Sequence, residues 1–279
     1  MRNDLTELCR QLRLAHVVEY VVQQQDERTQ ELVEQLLLAE REGRRRAKLG
    51  KLVQQAGFPH LKTFEGYVKD HITFPAGCTL DILLDMTWLE RRENLLLMGT
   101  VGTGKTHMAT ALGVEACRRG HAVQFSRASD LVAILQEKFA AGTLSRFREK
   151  LRKMDLIILD EVGYVPFSQT GSELLFNVIA DCYEQQSVIV TSNLEFGQWT
   201  SIFGDTKLTS ALVDRLVHHA HILSFGGESF RFKQAMERIV RCKKSLEPIL
   251  LILLGLPQNV INMKNLMSGT TKSYHGKNY

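Results

Sequence analysis

The spacing of apolar residues changes near residue 94. Before it they recur at helical intervals, as Leu5, Leu8 and Leu12 and then Leu32, Leu36 and Ala39, without a sustained heptad. This predicts a helical region over residues 1–57, ended by Gly57-Phe58-Pro59. A mixed connector follows over 58–93, with a helical stretch near Leu80–Leu89. From Asn94 onward short apolar runs alternate with helical patterns. The runs are Asn94–Met98, Ala122–Ser126, Leu156–Asp160, Ser187–Thr191 and Ile222–Phe225. Runs this short and this apolar suit strands buried on both faces. Their alternation with helices, such as Thr106–Arg118 with Met108, Leu112 and Cys117 on its apolar side, predicts an α/β fold over 94–244. In that fold a parallel sheet is covered by helices on both faces. The segment 245–279 breaks the pattern: it has no arginine, Glu247 is its one acidic residue, and ILLILLGL gives way to an Asn/Ser/Lys-rich end. Poor order is expected there, after one short apolar helix.

Between the first run and its helix lies GTVGTGKT, residues Gly99, Thr100, Val101, Gly102, Thr103, Gly104, Lys105 and Thr106, with His107 next in the helix. The pattern G-x-x-x-x-G-K-[ST] makes a loop whose backbone N–H groups point inward around phosphate oxygens. Glycines allow the close approach that a side chain would block. Lys105 is placed to reach the β- and γ-phosphates, the Thr106 hydroxyl to ligate Mg²⁺, and the helix N-terminus to face the anion. A chance glycine-rich turn would lack the strand before it and the helix after it. The loop is read as a nucleotide triphosphate site, a P-loop.

Hydrolysis needs a metal held in place and an oriented water. The run LIILD ends in Asp160, followed by Glu161. Asp160 suits Mg²⁺, directly or through water, and Glu161 suits polarising the attacking water. An isolated Asp-Glu pair would ordinarily just end a strand; after a phosphate loop it reads as catalytic. The next run ends in Thr191-Ser192-Asn193, which alone would be a cap or turn. Beside the γ-phosphate, Asn193 becomes a candidate for orienting water.

Composition narrows the classes. Hydrophobic content of 44% with 24% charged residues describes an ordinary globular chain. A formal net charge of +4 means that any nucleic-acid surface must be a local patch. The 5 cysteines include no C-x-x-C pair, which argues for a reducing compartment. A charged N-terminus and a longest apolar run of only Ile249–Leu256 predict a cytoplasmic protein with no membrane span. Three basic clusters stand out: Arg41–Lys51, Arg146–Lys153 and Arg231–Lys244. Such runs are usually solvated helix faces.

In order along the chain, GTVGTGKT, LIILDEVGY, VIVTSN, SIFGDTKLTSALVDRLVHH and SFRFKQA follow one another as in IstB-like proteins. The chain resembles that family from about residue 5 to about residue 240, AGFPHLKTFEGY included. These are ATP-dependent helpers of insertion-sequence transposases, close to DnaC-type helicase loaders among the AAA+ ATPases. The phosphate loop is shared widely, whereas FGDTKLTSALVDRL is narrow and favours the transposase helper.

The resemblance implies that Arg215 is a finger reaching a neighbour's nucleotide and Arg231 a sensor on its own. A guanidinium suits both tasks, because it stays charged and meets phosphate in a fixed fork; the plain alternative for Arg215 is an ion pair with Asp214 or a nearby carboxylate. His218, His219 and His221 would then be the polar end of the finger helix, since neighbouring helix positions do not converge on one ion. In the initiator and loader branch an extra helix near the middle basic cluster grips DNA, which implies Lys138, Arg146, Arg148 and Lys150 as phosphate contacts. Sparse aromatics there, Phe139 and Phe147, favour backbone over base contacts, hence little sequence preference.

Residues 1–57 would meet the transposase or neighbouring subunits, or else cap the ATPase core. The reading is therefore an AAA+ ATPase using ATP and Mg²⁺, a homo-oligomer with ATP sites at its subunit interfaces. It would assemble on double-stranded DNA and stimulate a transposase. A DnaC-like loader for a replicative helicase is the near alternative, and a P-loop small-molecule kinase a more distant one. A scaffold locked on nucleotide is disfavoured by intact Asp160 and Glu161. The tail from Ser245 departs from the short basic end usual in the family.

Overall fold

The computed structural model describes residues 2–14, 16–17, 19–20, 27–227, 229–230, 232 and 236. Arg231 and the whole segment 245–279 lie outside the described residues. The chain through Gly226 forms one unit.

Among the described residues its first long elements are α1 (Arg2–Gln11) and α2 (Glu27–Ala56). Leu5, Leu8, Cys9 and Leu12 of the first bury against Leu37, with Val33 alongside. The Leu32 and Leu36 face read as an apolar stripe is exposed, at 58% and 61%. α1 packs on the neighbouring stripe instead, and Arg44 donates to the Leu12 carbonyl at 3.0 Å. The C-terminal half of α2 turns Leu49, Leu52 and Val53 into the main core.

The stretch expected as one helix near Leu80–Leu89 is two, α3 (Leu80–Leu84) and α4 (Thr87–Glu90). Met86 sits between them in the left-handed region at φ 57°. The Trp88 indole N–H takes the Leu83 carbonyl at 2.9 Å, so a tertiary donor replaces the helical one.

The sheet contains β1 (Ile72–Thr73), β2 (Asn94–Gly99), β3 (Val123–Arg127), β4 (Leu156–Val162), β5 (Ser187–Ser192) and β6 (Ala220–Phe225), in the order β1-β6-β2-β5-β4-β3. β6, β2, β5, β4 and β3 run parallel. β1 pairs antiparallel with β6 at the edge, and its two residues are too few for periodicity to reveal. The helices are α5 (Lys105–Arg118), α6 (Ala128–Ala140), α7 (Leu144–Leu151), α8 (Gln169–Cys182), α9 (Thr200–Phe203) and α10 (Thr206–Val217).

Strand alternation divides the core in two. Leu95, Leu97, Ile158 and Ile189 face the layer of α3, α4 and α5. Leu96, Ile157, Leu159, Val188 and Val190 face the layer of α6, α8 and α10. With both faces covered, the strand interiors are apolar and polar residues gather at the carboxyl ends.

Candidate nucleotide site

The phosphate loop joins the carboxyl end of β2 to the N-terminus of α5. Gly99 has φ 140°, and a Cβ there would lie 2.1 Å from the Phe225 carbonyl oxygen, so β6 leaves no room for a side chain. Gly104 caps α5 in the left-handed region at φ 94°. Lys105 is buried, and its ammonium donates to the Gly99 carbonyl at 2.7 Å and the Thr100 carbonyl at 2.6 Å. Thr103 Oγ1 donates to the Thr100 carbonyl at 2.8 Å, which tightens the same turn.

β5 lies between β2 and β4, so its end stands between the loop and the acidic pair. Asp160 is 2% exposed. Its Oδ1 accepts from Thr106 Oγ1 at 2.9 Å and from Thr191 Oγ1 at 2.6 Å. A buried carboxylate met by hydroxyls is costly unless a cation joins it. Thr106 and Asp160 together offer the oxygen donors that Mg²⁺ takes, with water completing its shell. The residues present fit that ion.

Glu161 sits at a bulge in β4, in the left-handed region at φ 59°. Its backbone N–H donates to Thr191 Oγ1 at 2.9 Å, so the Thr191 hydroxyl ties the two acidic residues together. The Glu161 carboxylate lies 3.7 Å from Arg127 Nε at the end of β3. Asn193 follows β5 and is half-buried. Sequence reasoning misses Thr191 and Arg127. The one signal for Thr191 is a hydroxyl ending an otherwise apolar run.

The connector closes over the loop from the other side. His71 Nε2 is 2.8 Å from the Thr103 carbonyl, and Tyr67 Oη donates to the Gly104 carbonyl at 3.3 Å. His107 Nε2 meets the Thr63 carbonyl at 2.7 Å, and its ring lies 4.8 Å from that of Tyr67. Burial raises the Tyr67 phenol far above its usual value, so it stays a donor.

Arg215, on α10, donates to the Ala211 carbonyl at 2.8 Å and places its guanidinium 5.0 Å from the Phe176 ring of α8. That contact stands where an ion pair with Asp214 was the plain alternative. His221 is not at a helix end: it belongs to β6 and meets Glu93 at 2.8 Å.

The middle basic cluster does form a helix, α7. Arg148 and Arg152 both bind Asp181 of α8, at 2.7 and 2.8 Å. Burial pushes the Asp181 carboxyl up, but the hydrogen bonds and charges of the two guanidiniums outweigh it and hold the carboxyl below its ordinary value. Arg146 and Lys150 are exposed, while Lys138 lies 3.0 Å from Glu137. On α2, Arg44 binds Glu40 and Arg45 binds Glu42 at 2.7 and 3.0 Å. Among the described residues no helix is long and apolar enough to cross a membrane.

The sequence model of the IstB-like ATP binding proteins matches residues 7–238. An ATP-binding protein of insertion sequence IS21 from Pseudomonas aeruginosa is 34% identical over 252 residues, 87% of this chain and 94% of its own. One of insertion sequence IS5376 from Geobacillus stearothermophilus is 35% identical over 209 residues, 73% of this chain and 81% of its own. Among solved structures, AMPPCP-bound DnaA from Aquifex aeolicus superposes with a TM-score of 0.50 at 24% identity, over 66% of this chain and 56% of that one. That likeness concerns the fold alone.

Proposed function

Because the chain belongs to the family of IstB-like ATP-binding proteins, we propose that it is a Mg²⁺-dependent ATPase that assembles on double-stranded DNA and stimulates a transposase. The observation that carries the enzymatic part is Asp160, buried and hydrogen-bonded to the hydroxyls of Thr106 and Thr191 beside a complete phosphate loop. ATP phosphates would draw the Lys105 ammonium away from the Gly99 and Thr100 carbonyls, and the loop's backbone N–H groups would cradle them. Thr106 and Asp160 would hold Mg²⁺, which supplies charge neutralisation on the β- and γ-phosphates. Glu161 accepts a proton from water as the water oxygen bonds to the γ-phosphorus. The bond from that phosphorus to the β,γ-bridging oxygen breaks, and ADP keeps the electron pair. Asn193 helps to orient the water.

Arg127 is placed to restrain Glu161 until the site is filled, given their 3.7 Å separation. Arg215 acts on a neighbour's nucleotide and Arg231 on its own, so full activity requires a homo-oligomer. Arg215 rests on Phe176 in the single chain, a contact it would exchange for phosphate across the interface. For DNA, Arg146 and Lys150 on α7, with Lys138 nearby, are the phosphate contacts, while Arg148 keeps α7 on α8. The relatives' association with insertion sequences supports transposition as the setting. The exposed Leu32 and Leu36 face of α2 supports a partner-binding role for the N-terminal region.

The test is to measure particle size with and without ATP and duplex DNA. A discrete large assembly that needs both is expected. A chain that binds and hydrolyses ATP but stays monomeric in every condition would overturn the assembly, and favour the kinase.

A further inference from the structure

Away from the nucleotide, at the amino ends of the parallel strands, the ends of α8 and α10 bring three ligand-bearing side chains together. α8 stops at Cys182, Tyr183 caps it, and Glu184 turns the chain at φ 58° on the way to β5. α10 stops at Val217, capped by His218, with His219 next and β6 starting at Ala220. One ligand atom each from Glu184, His218 and His219 lie within 4.8 Å of one another. The two imidazole centroids are 4.1 Å apart. His221, two residues on, is engaged elsewhere with Glu93.

A phenol borders the cluster. Tyr183 Oη lies 2.9 Å from His218 Nδ1. A phenol has one proton to give. Its oxygen can equally accept from His218 Nδ1–H, and the ring's lone pair then lies on Nε2. A metal-bound imidazole uses this arrangement, one nitrogen bound and the other donating to an oxygen.

The geometry points to a site for one divalent transition-metal ion held by Glu184, His218 and His219, with water in the remaining position. Two imidazoles and one carboxylate suit zinc, whereas Mg²⁺ and Ca²⁺ call for oxygen ligands throughout. Bonds of about 2.0–2.1 Å in a tetrahedron put ligand atoms about 3.4 Å apart. The three exposed side chains must therefore close by on the order of 1 Å, a rotamer-scale movement. The bound ion staples the end of α8 to the end of α10, one turn beyond Arg215. Arg215 already touches α8 through Phe176. The ion thus fixes the helix that carries that arginine.

Calorimetric titration of tag-free full-length protein with zinc chloride, in excess magnesium, should give one zinc per chain. His218→Ala and His219→Ala should each weaken it at least tenfold, and Glu184→Gln comparably. Tyr183→Phe, a positioning change, should weaken it by about tenfold. Zinc should raise the melting temperature of the native chain, reversibly with EDTA, and leave the double histidine variant unmoved. Should the alanine variants fail to fold, His218→Gln and His219→Gln keep polar bulk without the imidazole and carry the same expectation. No binding by the native chain overturns the site, as does equal binding by the double variant. Loss of zinc in Cys242→Ser but not in His219→Gln also overturns it, by assigning the ion to a thiol.

Discussion

Two aspartates show how differently this chain treats buried negative charge. Asp181 is met by two guanidiniums, from Arg148 and Arg152, and its carboxyl is held below the ordinary value. Asp160, more deeply buried, is met by two hydroxyls. The first is complete within the chain and stabilises the seat of α7 on α8. The second, on the proposed reading, is completed by a cation. Stability resides where charge is paired, and chemistry where it is held against its own desolvation.

The sharpest way to break this contrast is at the neighbour of Asp160. Glu161→Gln keeps the shape but removes the base, so ATP turnover should fall by roughly 10²–10⁴-fold while nucleotide affinity stays near native. Turnover assays beside a fluorescent-nucleotide titration decide it. A parallel fall in affinity would mean that Glu161 helps to hold nucleotide. If release from DNA follows hydrolysis, this variant also stays on duplex DNA after excess ATP is removed, which anisotropy would follow.

The aspartates themselves should move stability in opposite senses. Asp160→Asn removes a desolvated charge, so ATP turnover is lost but the melting temperature holds or rises. Asp181→Asn strands two guanidiniums and should cost about 1–2 kcal/mol, between an exposed and a buried pair. Thermal melts of both variants without nucleotide test the contrast; a fall for Asp160→Asn as large as that for Asp181→Asn would erase it.

On α7 the same distinction separates basic residues that are equivalent in the sequence pattern. Replacing Arg146 and Lys150 together by alanine should flatten the log–log salt dependence of duplex binding by about 0.9 for each phosphate no longer neutralised, with the melting temperature kept. Arg148→Ala should do the reverse. An unchanged slope in the double variant would move the DNA surface off this helix.

The smallest effect is in acid. The folded Asp181 carboxyl is held low, so its pairing stabilises the chain fully above the unfolded carboxylate value of about 3.9 and is lost as pH falls through the folded value. The difference in unfolding free energy between native and Asp181→Asn should be constant near neutrality and shrink below about pH 4. A difference that widened in acid would mean that the pair is not what anchors α7.

What can be read from the sequence is what is local. Apolar runs mark the five parallel strands to within a residue or two, because strands buried on both faces leave few other choices of residue. The phosphate loop is legible because its glycines and lysine are consecutive. Contacts made across the sheet are not. Thr191 joins Asp160 to Glu161 only because β5 folds between β2 and β4. His71 and Tyr67 reach the loop carbonyls only because β1 pairs with β6. Spacing alone does not say which stripe of α2 meets α1, which packs on Leu37 and Val33. It joins α3 to α4, since the Trp88 indole replaces a helical donor. That Glu184 comes near the histidines after α10 is not visible in their own spacing, because it arrives from the end of α8.

Lys105 bound to the carbonyls of Gly99 and Thr100 makes the loop its own first ligand. Entry of a phosphate is then an exchange of partners, not the filling of a void, and only an anion that outcompetes two backbone oxygens can take the ammonium. A lone weak anion gains little from that exchange. A chain of phosphates, which would also engage the loop amides and the proposed metal at Thr106 and Asp160, would gain at every contact. On the proposed reading, a lysine folded onto its own backbone would favour a triphosphate over simple anions.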